Sequence, residues 1–233
     1  MGCEKMNEKI ETKDIVKEDI NECVGARKLS YRFIKRVFDI IVSIIGLVIL
    51  IPVTIIVKIA YICTGDFHSV FFVQKRIGRD GKEFSFYKFR SMVVNADEIL
   101  SQTLKMDKVL EQEYNENKKL KDDPRITKIG KIIRKCSIDE LPQFINIFLG
   151  DMSLIGNRPY LPREKKDMGA YYNSIVSTKP GLTGYWQVSG RSDVSFQKRL
   201  QLEKYYSEHC GIKLDIMVFF KTFKVVFFGK DAR

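Results

Sequence analysis

Asp139 and Glu140 are adjacent carboxylates set between a basic run, Arg134-Lys135, and an apolar stretch from Phe144 to Leu149. A carboxylate so placed can act as a nucleophile or as a metal ligand. It can also do neither. Ser137 and Glu140 have the Ser-x-x-Glu spacing of a capping box, which predicts a helix starting here. The two acids would then lie in its first turn, where unpaired N–H groups and the helix dipole favour negative charge. Local pattern leaves both readings open, and the rest of the chain must decide between them.

Cations capable of meeting a phosphate are spread along the sequence. The stretch Phe84 to Arg90 alternates as a strand, so Lys88 and Arg90 are expected on one face, where they could grip a diphosphate. The alternative is an ordinary solvated sheet face. Arg125 follows the turn Asp122-Asp123-Pro124. Arg158 is held between Asn157 and Pro159 in a loop that begins at Gly150. A second Gly-rich loop, Thr178 to Arg191, carries the single tryptophan, Trp186. Glycine there would let backbone N–H groups approach a phosphate, although the spacing matches neither a P-loop nor a dinucleotide fingerprint.

These residues need elements to position them. Ser69 to Arg76 and Phe84 to Arg90 read as two strands of a hairpin about the turn Arg79-Asp80-Gly81. Asn95 to Lys119 is polar with a broken apolar stripe and predicts a helix followed by a loop. Thr127 to Lys135 predicts a short basic helix with Gly130 as its weak point. Ser195 to Tyr206 predicts another helix. Leu214 to Phe228 combines bulky apolar residues with Lys213, Lys221, Lys224 and Lys230. It reads as a core helix or, preferably, as one lying in a membrane interface.

From Ile40 to Val57 no residue is charged. The run is long enough, as a helix, to reach across a hydrocarbon core of about 30 Å, and it lacks the polar face of a surface helix. Basic residues flank both ends: Arg27, Lys28, Arg32, Lys35 and Arg36 before, and Lys58, Lys75, Arg76 and Arg79 after. A spanning helix should show an asymmetry. Pro52, inside the run, removes a backbone hydrogen bond and predicts a kink. A bent helix that enters and leaves on one face is the preferred reading, with a kinked span as the alternative.

The composition suits a folded protein rather than a disordered one. The 233 residues are 45% hydrophobic and 30% charged, with a net charge of +11. Such an excess points to an anionic partner: acidic lipid, phosphorylated substrate or nucleic acid. The long apolar run and the lack of a recognised nucleic-acid module argue against the last. The five cysteines are scattered without a C-x-x-C pair, which disfavours zinc and a disulfide framework and suits a reducing compartment. The division expected is a polar tail at 1–26, a basic flank and membrane helix at 27–62, and a catalytic domain at 63–233.

Six segments, in order, resemble the bacterial sugar transferases, the monotopic polyprenyl-phosphate hexose-1-phosphate transferases. They are Lys35 to Asp39, Tyr87 to Met92, Asp123 to Thr127, Ser137 to Gln143, Gly150 to Gly156 and Lys179 to Gly184. The resemblance implies an α+β protein: a re-entrant membrane helix plus a cytoplasmic, mostly helical domain with a small β-hairpin and interfacial amphipathic helices. It implies transfer of a sugar-1-phosphate from a UDP-sugar to polyprenyl phosphate, with release of UMP, at the cytoplasmic face of the bacterial inner membrane. By the same resemblance Asp139 is the nucleophile and a ligand of Mg²⁺, and Glu140 completes the catalytic pair. Lys88, Arg90, Arg125, Arg134, Gln143, Arg158 and Arg191 are the expected substrate contacts, with Arg134 five positions before Asp139 as in the family. Many members have Pro-Arg-Pro where this chain has Asn157-Arg158-Pro159, so the loop around Arg158 is expected to be looser. The chain resembles the short, catalytic-core form. Membrane phospholipid is an implied partner, nucleic acid is not, and self-association is left open. A non-catalytic membrane scaffold that binds acidic lipid or a partner protein is the competing function.

Overall fold

The computed structural model describes residues 29–117, 120–190 and 194–228. The predicted tail at 1–26, the cations Arg27, Lys28 and Lys230, and the candidate Arg191 lie outside the described residues.

Helix α1 (Leu29–Cys63) is the longest element, and it is unbroken. At 1.5 Å per residue its 35 residues extend about 52 Å. It is the one described helix long and apolar enough to cross a membrane. α-Helical backbone continues through Pro52, where the sequence predicts a kink. A proline within such a helix frees one carbonyl, which is tolerated where side chains and neighbouring helices compensate. The Thr54 hydroxyl bonds back to the Leu50 carbonyl at 2.7 Å in this same turn.

One stripe of α1 is buried: Asp39, Ser43, Gly46, Leu50, Val57 and Tyr61. The steps of three, four and seven keep these residues on one side of a helix. Gly46 is required there, since a Cβ would lie 2.3 Å from the Phe144 ring. Leu50, Val57 and Tyr61 join Val70, Phe89 and Ile133 in a shared core. The opposite side exposes Ile44, Ile45, Val48, Ile51, Ile55 and Ile59.

The hairpin forms as expected. Strand β1 (Phe71–Ile77) pairs antiparallel with β2 (Glu83–Phe89), with Phe71 opposite Phe89 and Ile77 opposite Glu83. Asp80 (φ 58°) and Gly81 (φ 77°) supply the left-handed conformations of the turn. Helices α2 (Ala96–Met106) and α3 (Lys108–Asn117) follow. Helix α4 (Lys128–Lys135) is capped by Thr127, whose hydroxyl accepts from the Gly130 N–H at 2.9 Å. Gly130 is no weak point. A Cβ there would sit 1.9 Å from the Ser91 carbonyl oxygen, so glycine is what lets α4 approach the end of β2.

Helix α5 (Gln143–Leu149) leads to β3 (Ser153–Ile155), which pairs in parallel with β4 (Gly181–Thr183). This two-stranded sheet replaces the two loops expected from their glycine content. Gly156 donates its N–H to Thr183 O at 2.9 Å, and Gly181 donates to Asn157 O at 2.8 Å. A Cβ on Gly181 would lie 2.1 Å from the Gly156 nitrogen. These glycines therefore serve backbone-to-backbone contact, and their N–H groups are not free for a phosphate.

Short turns bridge the two strands: a 3₁₀ turn (Pro162–Glu164), α6 (Lys165–Met168), a second 3₁₀ turn (Gly169–Tyr171) and α7 (Tyr172–Val176). Helix α8 (Tyr185–Val188), α9 (Phe196–His209) and α10 (Ile212–Phe228) complete the chain. Helix α10 contributes to the core, as one of the two predicted readings required. Val218 is fully buried in the core with Met152, Leu154 and Tyr206, while Ile216, Phe220 and Phe223 form an exposed apolar stripe. The architecture is α+β, as expected.

Candidate active site

Asp139 and Glu140 lie on a 3₁₀ turn (Ile138–Glu140), not in the first turn of an α-helix. Ser137 adopts a left-handed conformation (φ 55°) and makes no capping hydrogen bond, so the predicted capping box is absent. The reason is Pro142. Without an N–H it cannot extend the ladder begun by Glu140 and Leu141, so α5 starts only at Gln143. The turn leaves Asp139 buried and Glu140 partly exposed.

One ammonium faces both acids. Lys88 Nζ is 3.3 Å from Asp139 Oδ2 and 3.3 Å from Glu140 Oε1. Its position depends on Asn146 of α5, which is fully buried. Asn146 Oδ1 accepts from the Tyr87 N–H at 3.1 Å, and its Nδ2 donates to Ser85 O at 2.7 Å. An amide between two backbone groups of β2 thus fixes the strand that bears Lys88 against the helix that follows the acids. Sequence reading did not single out Asn146, since an asparagine within an apolar run has no local signature of that role.

The remaining predicted cations divide. Arg134, at the end of α4, donates Nε to Ser91 Oγ at 2.8 Å and lies within the electrostatic reach of Asp139. Arg90 does not join Lys88. The strand ends at Phe89, so the alternation stops, and Arg90 donates to Ser69 O (2.8 Å), Met92 O (3.4 Å) and Asp66 Oδ2 (2.9 Å) over the Tyr61 ring. Arg125 is chelated by Asp123, with Nε to Oδ1 at 2.8 Å and Nη2 to Oδ2 at 2.6 Å. Burial raises the Asp123 carboxyl, but the Arg125 bonds outweigh it and hold the group below the usual range. Gln143 is buried at the head of α5.

Arg158 sits in another cluster. Its N–H donates to Glu203 Oε1 at 3.0 Å, and its guanidinium lies 6.0 Å from the Tyr160 ring. The loop that carries it is not loosened by Asn157. That side chain is buried, and its Nδ2 reaches Ile175 O (3.1 Å), Thr178 Oγ1 (3.2 Å) and Ser207 Oγ (2.6 Å). Asparagine pins by hydrogen bonds what proline would stiffen by its ring.

The Lys35 to Asp39 segment ties α1 to this core. Arg36 donates to Ile147 O and Phe148 O at 2.6 and 2.7 Å, satisfying the last carbonyls of α5. Asp39 Oδ1 accepts from Ser153 Oγ (3.0 Å) and the Leu154 N–H (2.8 Å). Lys35 and Tyr31 both meet Asp215 of α10, at 2.6 and 2.8 Å.

An acid pair under one lysine, with its aspartate buried and joined to a long helix with an apolar outer side, suits phosphate chemistry at a membrane. The bacterial sugar transferase family matches residues 30–229, and the chain belongs to that family. It is 44% identical over 85% of its length to an undecaprenyl-phosphate galactose phosphotransferase of Salmonella typhimurium, covering 41% of that protein. It is 42% identical to a UDP-galactose-lipid carrier transferase of Erwinia amylovora, covering 85% of this chain and 41% of the other. The exopolysaccharide production protein ExoY of Rhizobium meliloti is 35% identical over 91% of this chain and 94% of its own. The chain therefore spans about two fifths of the first two relatives and nearly all of the third.

Proposed function

We propose that this chain moves a sugar-1-phosphate from a UDP-sugar to polyprenyl phosphate, releasing UMP, at the cytoplasmic face of a bacterial inner membrane. The product would begin an exopolysaccharide, capsule or other surface glycan. The observation that carries the reading is the convergence of Asp139 and Glu140 on Lys88.

In the first step Asp139 Oδ attacks the sugar-bearing phosphorus. An O–P bond forms, the P–O bond to the nucleotide breaks, and UMP leaves with the electron pair. In the second step an oxygen of the acceptor phosphate attacks the same phosphorus, and the Asp139–phosphorus bond breaks. The covalent intermediate divides one displacement between two polyanions into two easier ones. Lys88 and Arg134 offset the charge repulsion at the attacking carboxylate.

Two carboxylates converging on one cation position also suit Mg²⁺, which is commonly held by one or two carboxylates together with substrate phosphates. Asp139, with Glu140 beside it, would hold the ion, and among the described residues no group of three or more His, Cys, Asp or Glu side chains offers another site. When bound, the ion supplies charge neutralisation at the phosphoryl oxygens.

The acceptor phosphate cannot leave the headgroup layer, so the acids must stay close to it. A free span would have lipid on every side, whereas α1 keeps the domain against it from Asp39 to Tyr61. This supports attachment to one face, with the exposed isoleucines of α1 and the Ile216–Phe220–Phe223 stripe of α10 in the lipid. Impermeant maleimide should then label both native Cys63 and an added Ser30→Cys from the cytoplasmic side only. Labelling of the two from opposite sides would establish a span.

The decisive assay presents polyprenyl phosphate and a panel of UDP-sugars to the membrane-bound protein and scores UMP release. A phosphosugar adduct trapped on Asp139, absent in Asp139→Asn, is the expected result. No UMP release from any UDP-sugar would overturn the reading.

A further inference from the structure

Beyond the acid pair lies a second charged cluster, built from three distant parts of the chain. Arg76 comes from β1, Arg158 and Tyr160 from the segment after β3, and Arg199 and Glu203 from one side of α9. Glu164 faces it from the 3₁₀ turn before α6. Arg199 is 8% exposed, Tyr160 2% and Glu203 0%.

The cluster is poorly satisfied within the protein. The Nε atoms of Arg76, Arg158 and Arg199 are buried without a hydrogen-bond partner. The only ion pair among these residues is Arg76 with Glu164, at 4.0 Å. Arg76 Nη1 also donates to Pro159 O at 3.1 Å. A purely structural ion network would turn its acids onto its guanidinium groups, because an unpaired buried charge is costly. Here Glu203 directs one oxygen to the Arg158 backbone and its carboxyl meets the Tyr160 hydroxyl, so it closes no ion pair with a guanidinium. Burial pushes its carboxyl up to about 7, so near neutral pH it is only partly an anion. Three guanidinium groups therefore outnumber the negative charge around them. Planar guanidinium groups with free N–H edges match a phosphate.

The cluster is also within reach of the acid pair. Phe86 separates them. Lys88 Nζ lies 5.7 Å and Arg76 5.3 Å from its ring centroid, which puts the two cations within about 11 Å of each other. An extended nucleoside diphosphate covers that distance. The neighbouring cavity, lined by Gly78, Asn157, Arg158 and Thr178, holds no more than about one water and cannot itself take the base.

We propose that Arg76, Arg158 and Arg199 bind the phosphate that stays with the departing nucleotide, while Lys88 and the acid pair hold the phosphate that is transferred. This rests on the transferase reading for the identity of the nucleotide. It adds Arg76 and Arg199 to the substrate contacts expected from the sequence. Charge builds on the leaving phosphate as its bond to phosphorus breaks, and cations already in place there lower the barrier.

Trp186 provides a probe, because the Arg199 guanidinium lies 4.6 Å from its ring centroid and the chain has no other tryptophan. The full chain in nanodiscs of zwitterionic lipid is titrated with UMP, with inorganic phosphate and with anionic vesicles. Trp186 emission and calorimetry are read in parallel. UMP should saturate the signal, and inorganic phosphate should compete with it. Arg76→Gln and Arg199→Gln should each weaken UMP at least tenfold and raise the KM for UDP-sugar, leaving the KM for polyprenyl phosphate unchanged. Glu203→Gln keeps the oxygen that accepts from Arg158 and should tighten UMP several-fold, an effect that damage to the fold would not produce. Equal UMP affinity in all the variants would overturn the inference, as would saturation by anionic vesicles and not by UMP. UMP bound at the cluster without turnover of any UDP-sugar would sink the transferase reading and leave the cluster standing. Turnover with KM unchanged in both arginine variants would do the reverse.

Discussion

The two charged centres of this protein are out of balance in opposite senses. At the turn of Asp139 and Glu140, one ammonium stands against two carboxylates. At the cluster of Arg76, Arg158 and Arg199, three guanidinium groups stand against Glu164 and a Glu203 held near neutrality. Elsewhere the chain closes such accounts locally: Arg125 is chelated by Asp123, and Arg90 is met by Asp66 and two carbonyls. Satisfied cations of that kind build structure. The two unsatisfied centres are where a cation and an anion from outside would be stabilised.

The contrast can be broken most severely at the acid pair. Asp139→Asn should lower UMP release by roughly a thousandfold or more while membrane association persists, as scored by turnover and flotation. Lys88→Met removes the one ammonium between the acids and should cost about a hundredfold in kcat, measured at saturating UDP-sugar. Gly130→Ala forces a methyl into the Ser91 carbonyl and should destabilise the fold by about 3 kcal/mol, seen as a lowered melting temperature. Because Ser91 also holds Arg134, turnover should fall with it.

Glu203 offers a finer test through pH. Its folded pKa of about 7 lies above the ordinary 4.5, so the folded state holds the proton more tightly than the unfolded one. That contribution to stability is complete below the unfolded value and is lost as pH rises through the folded one. The loss should approach about 3 kcal/mol by pH 8 in the wild type and be missing in Glu203→Gln. Melting curves at pH 5 and pH 8 compare the two directly.

Features fixed by short-range chemistry were legible from the sequence. The hairpin follows from alternation around Asp80-Gly81, and the short basic helix expected from Thr127 to Lys135 is α4. The acid pair stood out because two carboxylates between a basic and an apolar run are locally conspicuous. What failed did so because distant or single-residue effects intervened. The capping box at Ser137 was cancelled by one missing N–H at Pro142. Strands β3 and β4 are three residues each, and each exists only through a partner far along the chain. Too little periodicity remains in such a strand to read.

By itself the amino-acid order determined the long apolar helix, the hairpin, the basic excess and the carboxylates capable of the chemistry, since each depends on neighbours within a few positions. Only the tertiary structure decided which cations are free. A guanidinium takes its role from whichever acceptor folding brings within about 3 Å. That is why Arg90 and Arg125 became internal ties, why Lys88 reached the acids through Asn146, and why Arg76 and Arg199, unremarkable in the chain, came to stand beside Arg158 with their Nε atoms unpaired.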